Sequence, residues 1–285
     1  MAAVAVAVVA VSTSAILVEL SEAPRVLKAG YRVLFTTALV APFAFREREA
    51  FATVSGTDWV VVGVAGVLLA VHFTAWFASI EFTSIAASTT LVQTQPAFVA
   101  VGAWLLLDER VGPRIVGGIL VALAGSVLLS AGDFLSGTAV GAAPTLGNAL
   151  AVLGAVSGAG YVLAGRSVRQ RLSLAPYVFA VYGVCTVALF AGAVASGIPL
   201  FDYPPREWAL FVAMAVGPGL FGHTVVNWAL KHVESSVVSV SLLGESVVST
   251  LLALAVFAEV PGAFTLVGGA VVLVGIGVTA TGRAT

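Results

Sequence analysis

The sequence predicts an all-α integral membrane protein of ten transmembrane helices, and three observations predict it. Hydrophobic residues fill 60% of the 285 positions and charged residues only 9%, against about 45–50% and about 25% in soluble domains. The charges gather between apolar stretches long enough to cross a bilayer core of about 30 Å as helix. The chain also repeats itself, with His72 and His223 lying 151 positions apart.

The first apolar stretch, 3–20, lacks the basic leader of a signal peptide, and Pro24 directly follows the candidate cleavage point at Ala23. It is expected to be a retained first helix. Next come 27–45, 58–80, 84–107 and 113–131, punctuated by SEAPR, REREA and DERVGPR. GDFLSG leads to 146–165. GRSVRQR, DYPPRE, KHVESS and AEVPG then separate 174–197, 207–230, 234–257 and 262–281. No joint has room for a soluble domain, so the chain reads as one membrane domain. Only helices and closed barrels satisfy their backbone in lipid. Apolar runs without period-two alternation favour helices. Proline removes a backbone donor and kinks a helix. Pro96 and Gly217-Pro218-Gly219 are therefore expected to interrupt the fourth and eighth helices.

Orientation follows from Lys and Arg. With the N-terminus inside, the inner face holds Arg46, Arg48, Arg110, Arg114, Arg166, Arg169, Arg171, Lys231 and Arg283. The outer face holds Arg25, Lys28, Arg32 and Arg206. Both termini are thus expected in the cytoplasm of a multi-pass cell-membrane protein.

The repeat runs from His72 in the first half and from His223 in the second. Gln95 and Glu245 are 150 apart, as are Glu109 and Glu259; Gly117–Gly118 recurs 151 positions on as Gly268–Gly269. Residues 1–132 and 133–285 then form two five-helix repeats. An odd helix number inverts the second relative to the first, an arrangement that transporters use to alternate access.

Several function classes are excluded or disfavoured. A net charge of −1 gives no footprint for nucleic acid. Cys185 is the only cysteine, and His72, His223 and His232 lack the close spacing of a helical metal motif, so neither metal nor cofactor is expected. No GxSxG, metalloprotease or Walker motif is present, so the chain is not expected to be an enzyme.

Glu245 is the sharpest candidate, a carboxylate expected near the middle of the ninth helix. Charge at the bilayer centre costs about 2.5–3.5 kcal/mol on insertion scales. It reads either as a coupling or substrate-contact group or as a structural tie between helices. His72 and Trp76 lie four apart on one helix face, and His223 and Asn227 repeat that spacing. With Gln95, Pro96 and Tyr161 they are candidates for a cavity lining; interhelical hydrogen bonding is the other reading for the polar ones. Gln93 reads more as a helix tie. Arg32 pairs with Glu19 as a candidate outer gate, or else snorkels to the interface. Rows of small residues such as Gly118, Ala122 and Ser126 imply close helix contact.

The stretch ASIEFTSIAASTTLVQTQPAFVAVGAWLLLDERVGPRIVGGILVALAGSVLLS resembles the drug/metabolite transporter superfamily, EamA type. Its marks are a turn of small residues, a helix with a central proline, a terminal Glu-Arg and a glycine-rich helix. The second half resembles it again, with Glu245 at the acidic position and Glu259 at the helix end, and Arg32 resembles the family's second-helix arginine. Ser246 stands where many members have proline, which argues against a kink there. The resemblance implies a secondary transporter, an exporter or exchanger of small metabolites such as amino acids. It would work by alternating access around a cavity between the halves, lined by the first, third, fourth, sixth, eighth and ninth helices. Proton coupling is an accompanying expectation, and a homodimer is left open beside a monomer. The rival class is a non-transporting membrane protein, a sensor or assembly factor; the lack of an output domain argues against it.

Overall fold

The structure, a computed structural model, describes residues 2–52, 54–83, 85–129, 143–258 and 262–281. Glu259 and Arg283 lie outside the described residues. Helices α1 (Ala2–Leu20), α2 (Arg25–Arg46), α3 (Glu49–Ala52), α4 (Gly56–Phe82), α5 (Ile85–Val92), α6 (Gln95–Leu106) and α7 (Pro113–Leu129) form the first part of the chain. Then follow α8 (Pro144–Val168), α9 (Leu174–Ala195), α10 (Pro205–Met214), a π-helical segment (Ala215–Thr224) and α11 (Val225–His232). The last helices are α12 (Ser235–Leu242), α13 (Gly244–Phe257) and α14 (Ala263–Thr281). No strand occurs among the described residues.

Eight helical runs are long and apolar enough to cross a membrane, counting Pro205–His232 and Ser235–Val256 each as one. The other two expected spans differ from long continuous helices. The seventeen residues of α7 fall just short of the usual length, and the stretch 84–107 is divided between α5 and α6. The runs face outward with their apolar residues: Ala2–Leu20 has a mean hydropathy of 2.2, yet only 28% of it is buried. Such a surface is compatible with hydrocarbon as solvent.

The helices gather into two compact units, one of Met1–Thr74 with Ala164–His232, the other of Ala75–Leu163 with Val233–Thr285. The division passes through α4 and α8, and each unit takes elements from both halves of the sequence.

In the first unit, α2 packs along α9, and α1 along the π-helical segment. A core of Leu27, Tyr31, Ala193 and Phe211 closes one end. The Tyr31 ring stacks on Phe211 at 4.8 Å and meets Phe190 and Trp208 edge-on, while its hydroxyl donates to Leu200 O at 2.6 Å. Ser55 caps α4: its Oγ accepts from Asp58 N at 3.1 Å and donates to the Asp58 carboxylate at 2.8 Å, a reciprocal arrangement like a capping box. Asp58 in turn binds the Arg171 guanidinium beyond the end of α8.

In the second unit, α7 and α14 pack along their lengths. Their approach depends on glycine: a Cβ on Gly118 would lie 2.7 Å from Thr279 N and 2.8 Å from Gly275 O. Ile115, Ile119, Ala122, Val240 and Val272 fill the core around them. Glu109 accepts from the Ser235 backbone N–H at 3.1 Å and from its hydroxyl at 2.8 Å, so a residue distant in sequence caps α12.

Candidate functional site

An α-helix made mostly of valine, leucine and alanine offers few polar groups, so those it carries stand out where they converge. In the first unit they converge on a small cavity of about 10 Å³, room for one water-sized group. Arg32 and Thr36 reach it from α2, Phe73 from α4, Tyr182 from α9, and Gly219 and His223 from the π-helical segment.

Arg32 is 6% exposed. Its Nη1 donates to Ser14 Oγ at 3.1 Å, and its guanidinium lies 4.4 Å from the centroid of the Phe73 ring, a cation–π contact. His223 meets the same ring edge-on, with centroids 6.2 Å apart. The rings of His72 and Phe73, neighbours on α4, lie 5.3 Å apart.

The backbone around His223 is not the interrupted helix expected. Pro218 cannot donate, but the chain widens into a π-helix over Ala215–Thr224 and runs on without a break. Thr224 Oγ1 donates to Gly219 O, five residues back, at 3.1 Å, and Thr36 Oγ1, which donates to Arg32 O on its own helix at 2.7 Å, also lies 3.1 Å from Ala215 O. Hydroxyls from the segment itself and from α2 thus reach its carbonyls. Such segments are frequent at functional sites.

Asn227, fully buried, extends the polar region. Its Nδ2 donates to Tyr182 Oη at 3.2 Å and to His223 O at 2.9 Å. Beyond it Arg169, 2% exposed, donates to Asn227 O at 3.2 Å and to Leu172 O. Glu19 is exposed near the end of α1, so the two members of the expected gate have different settings, Arg32 turned inward and Glu19 outward.

The remaining candidates belong to the second unit. Pro96 does divide the fourth stretch: α5 ends at Val92, and α6 begins at Gln95 with Pro96 in its first turn. The ninth stretch is divided too, which the serine at 246 had argued against. Leu243 separates α12 from α13 and bonds back three residues, to Val240 O at 3.0 Å. Glu245 accordingly lies in the first turn of α13 rather than mid-helix, where the helix dipole favours negative charge. Gln93 Nε2 donates to Ser246 Oγ and ties the two divided stretches together, as expected of Gln93. Trp76 packs on Phe77 at 5.3 Å, and Tyr161 is buried.

The structure therefore brings Arg32, His72, His223 and Asn227 together, and Gln95, Pro96 and Glu245 into another group of divided helices. Thr36, Phe73 and Tyr182 were missed by sequence reasoning. Phe73 adjoins a singled-out histidine, and Tyr182 is one of two tyrosines in an otherwise apolar stretch; Thr36 gives no signal of its own. The cavity uses the second and seventh stretches, which were not among those expected to line one.

The EamA-like transporter family matches the chain over residues 1–131 and 145–281. An "uncharacterized transporter" of Archaeoglobus fulgidus is 26% identical over 260 residues, covering 87% of this chain and 85% of that protein. The pseudopaline exporter of Pseudomonas aeruginosa is 27% identical over 260 residues, covering 89% and 86%. A crystal structure at 21% identity superposes with a TM-score of 0.81 over 99% of this chain and 96% of the other, a likeness of fold.

Proposed function

The chain belongs to the EamA-like transporter family, and on that premise we propose that it is a secondary transporter that exports or exchanges small metabolites such as amino acids by alternating access. The observation that carries this reading is the buried Arg32 on the wall of a small cavity where α2, α4, α9 and the π-helical segment meet. A charge within a bilayer is costly and usually faces a cavity or a partner. The relative named as an exporter supports the outward direction.

Ten crossings in two inverted repeats, 1–132 and 133–285, belong to the same proposal. Two pairs of backbone features support it. The divisions at Gln93 and Leu243 lie 150 positions apart. So do Asp108 and Ala258, the two non-glycine residues with positive φ among the described residues, at 53° and 57°.

The test is flux. Proteoliposomes holding the purified protein are loaded with a mixture of amino acids and small organic acids and diluted into empty buffer. Efflux of at least one solute, abolished by omitting the protein, is expected. If no solute leaves faster than from protein-free vesicles, and none exchanges in counterflow, the transport reading is wrong.

A further inference from the structure

We propose that the cleft at the joint of α6 and α7 is a docking site for the zwitterionic headgroup of a phospholipid, phosphatidylethanolamine. The cleft has a volume of about 380 Å³ and is lined by Trp104, Asp108, Glu109, Arg110, Val111 and Gly112. Sites for small ligands run to about 300–1,000 Å³, so a headgroup finds room here. The site does not depend on which solute is transported.

Its surroundings suit the boundary between hydrocarbon and water. α6 closes on Trp104, Leu105 and Leu106, which are 64%, 61% and 74% exposed. Val116 and Leu120 of α7 are exposed as well. In a bilayer such side chains face acyl chains, and tryptophan favours the headgroup level. Asp108, Glu109 and Arg110 follow directly, so lipid-compatible and charged surface adjoin at the cleft.

The free charges match a zwitterion. The side chains of Asp108 and Arg110 are exposed and take part in no ion pair or hydrogen bond among the described residues. Glu109 is already engaged with Ser235. Asp108 is thus the carboxylate left to accept from an ammonium. Arg110 is the guanidinium left to donate to a phosphate, whose oxygens its planar fork suits. The lining sets two carboxylates against one guanidinium, and Arg114, in the first turn of α7, makes the count even. A headgroup of net negative charge therefore meets no surplus of positive charge. A primary ammonium carries three N–H donors for Asp108; the quaternary ammonium of phosphatidylcholine carries none.

The test is native mass spectrometry of the purified full chain in detergent, titrated with phosphatidylethanolamine, phosphatidylcholine or phosphatidylglycerol of the same acyl chains. One phosphatidylethanolamine per chain is expected to bind saturably, at least threefold more tightly than either other lipid. Asp108→Asn and Arg110→Gln should each weaken it at least fivefold. Arg48→Gln, at an exposed arginine of another joint, should leave it unchanged. Excess inorganic phosphate should not displace the lipid; displacement assigns the cleft to soluble phosphate and overturns the lipid as its occupant.

Folding of the variants is followed by melting with a thiol-reactive fluorogenic maleimide, which reports unfolding because Cys185 is the only cysteine and is fully buried. If either variant does not fold, backbone hydrogen exchange of the unaltered protein decides. Residues 107–112 should exchange at least threefold more slowly in nanodiscs containing phosphatidylethanolamine than in phosphatidylcholine alone, with residues 46–50 unchanged. Equal or tighter binding of either other lipid, binding undiminished in either folded variant, or exchange at 107–112 indifferent to phosphatidylethanolamine overturns the proposal.

Discussion

At the scale of single residues, the carboxylates show how position in the backbone decides what a charge can do. Glu109 has a defined task, accepting two hydrogen bonds from Ser235. Bonds to a charged acceptor contribute about 1.5–3 kcal/mol, so Glu109→Ala should lower the melting temperature clearly, and Glu109→Gln, which keeps an acceptor, should lower it less. Glu245 opens α13 beside a break between helices, where the helix dipole favours negative charge. A carboxylate can take up and release a proton where its surroundings change between wet and dry. We therefore predict that Glu245→Gln inserts and folds, exchanges solute, and no longer accelerates net efflux in response to an imposed pH gradient. An unchanged pH response at matched protein density would reduce Glu245 to a structural or substrate-contact residue.

At the scale of elements, much of the fold was legible because lipid leaves a helix few alternatives. The apolar stretches and their charged joints gave α1, α2, α4, α8, α9 and α14 to within three residues at each end. The departures sit where proline or a small residue loosens the hydrogen-bond ladder. Pro96 divided its helix as expected, yet Pro218, between two glycines, sits in a π-helix that runs on unbroken, with the Thr224 hydroxyl bonded to Gly219 O. No period in the sequence reports that. Leu243 divided a helix without any proline. The glycine row in α7 was legible as a contact face, and it separates two substitutions that composition cannot. A methyl on Gly118 would press on the backbone of α14, whereas one on Gly117 would meet nothing within 4 Å. Gly118→Ala should therefore destabilise by about 1–3 kcal/mol, while Gly117→Ala, favoured by helix propensity, should raise stability by up to about 1 kcal/mol. Melting followed through the Cys185 thiol distinguishes them, and equal effects would contradict the close approach of α7 and α14.

At the scale of the whole molecule, the sequence repeat and the spatial units divide the chain differently. The repeat is a relation along the chain, with Gln95 set against Glu245 and Asp108 against Ala258. The units are a relation of contact, and each takes helices from both halves. His72, His223 and Arg32 were legible as polar exceptions in apolar stretches. Their meeting around Phe73 was not, because nothing along the chain tells which faces of α2, α4 and the π-helical segment turn toward one another. Orientation in the membrane is the remaining relation, and it rests on charge. With both termini inside, the joint between α2 and α4 is cytoplasmic and that between α9 and α10 external. Ser136, in the joint after α7, lies outside the described residues, but Glu49 and Ser196 are both exposed and occupy these two joints. In a Cys185→Ser background, Ser196→Cys should react with an impermeant maleimide in intact cells, and Glu49→Cys only after the membrane is opened. The inner excess of arginine makes this assignment, and the Arg25–Lys28–Arg32 group on the outer side opposes it. That group is partly withdrawn from the balance, since Lys28 donates to Val18 O and Ser21 O and Arg32 is buried against Phe73. Charges engaged within the fold still count during insertion, so the labelling decides between the two arguments: the reverse pattern would show that the outer group, not the inner excess, sets the topology.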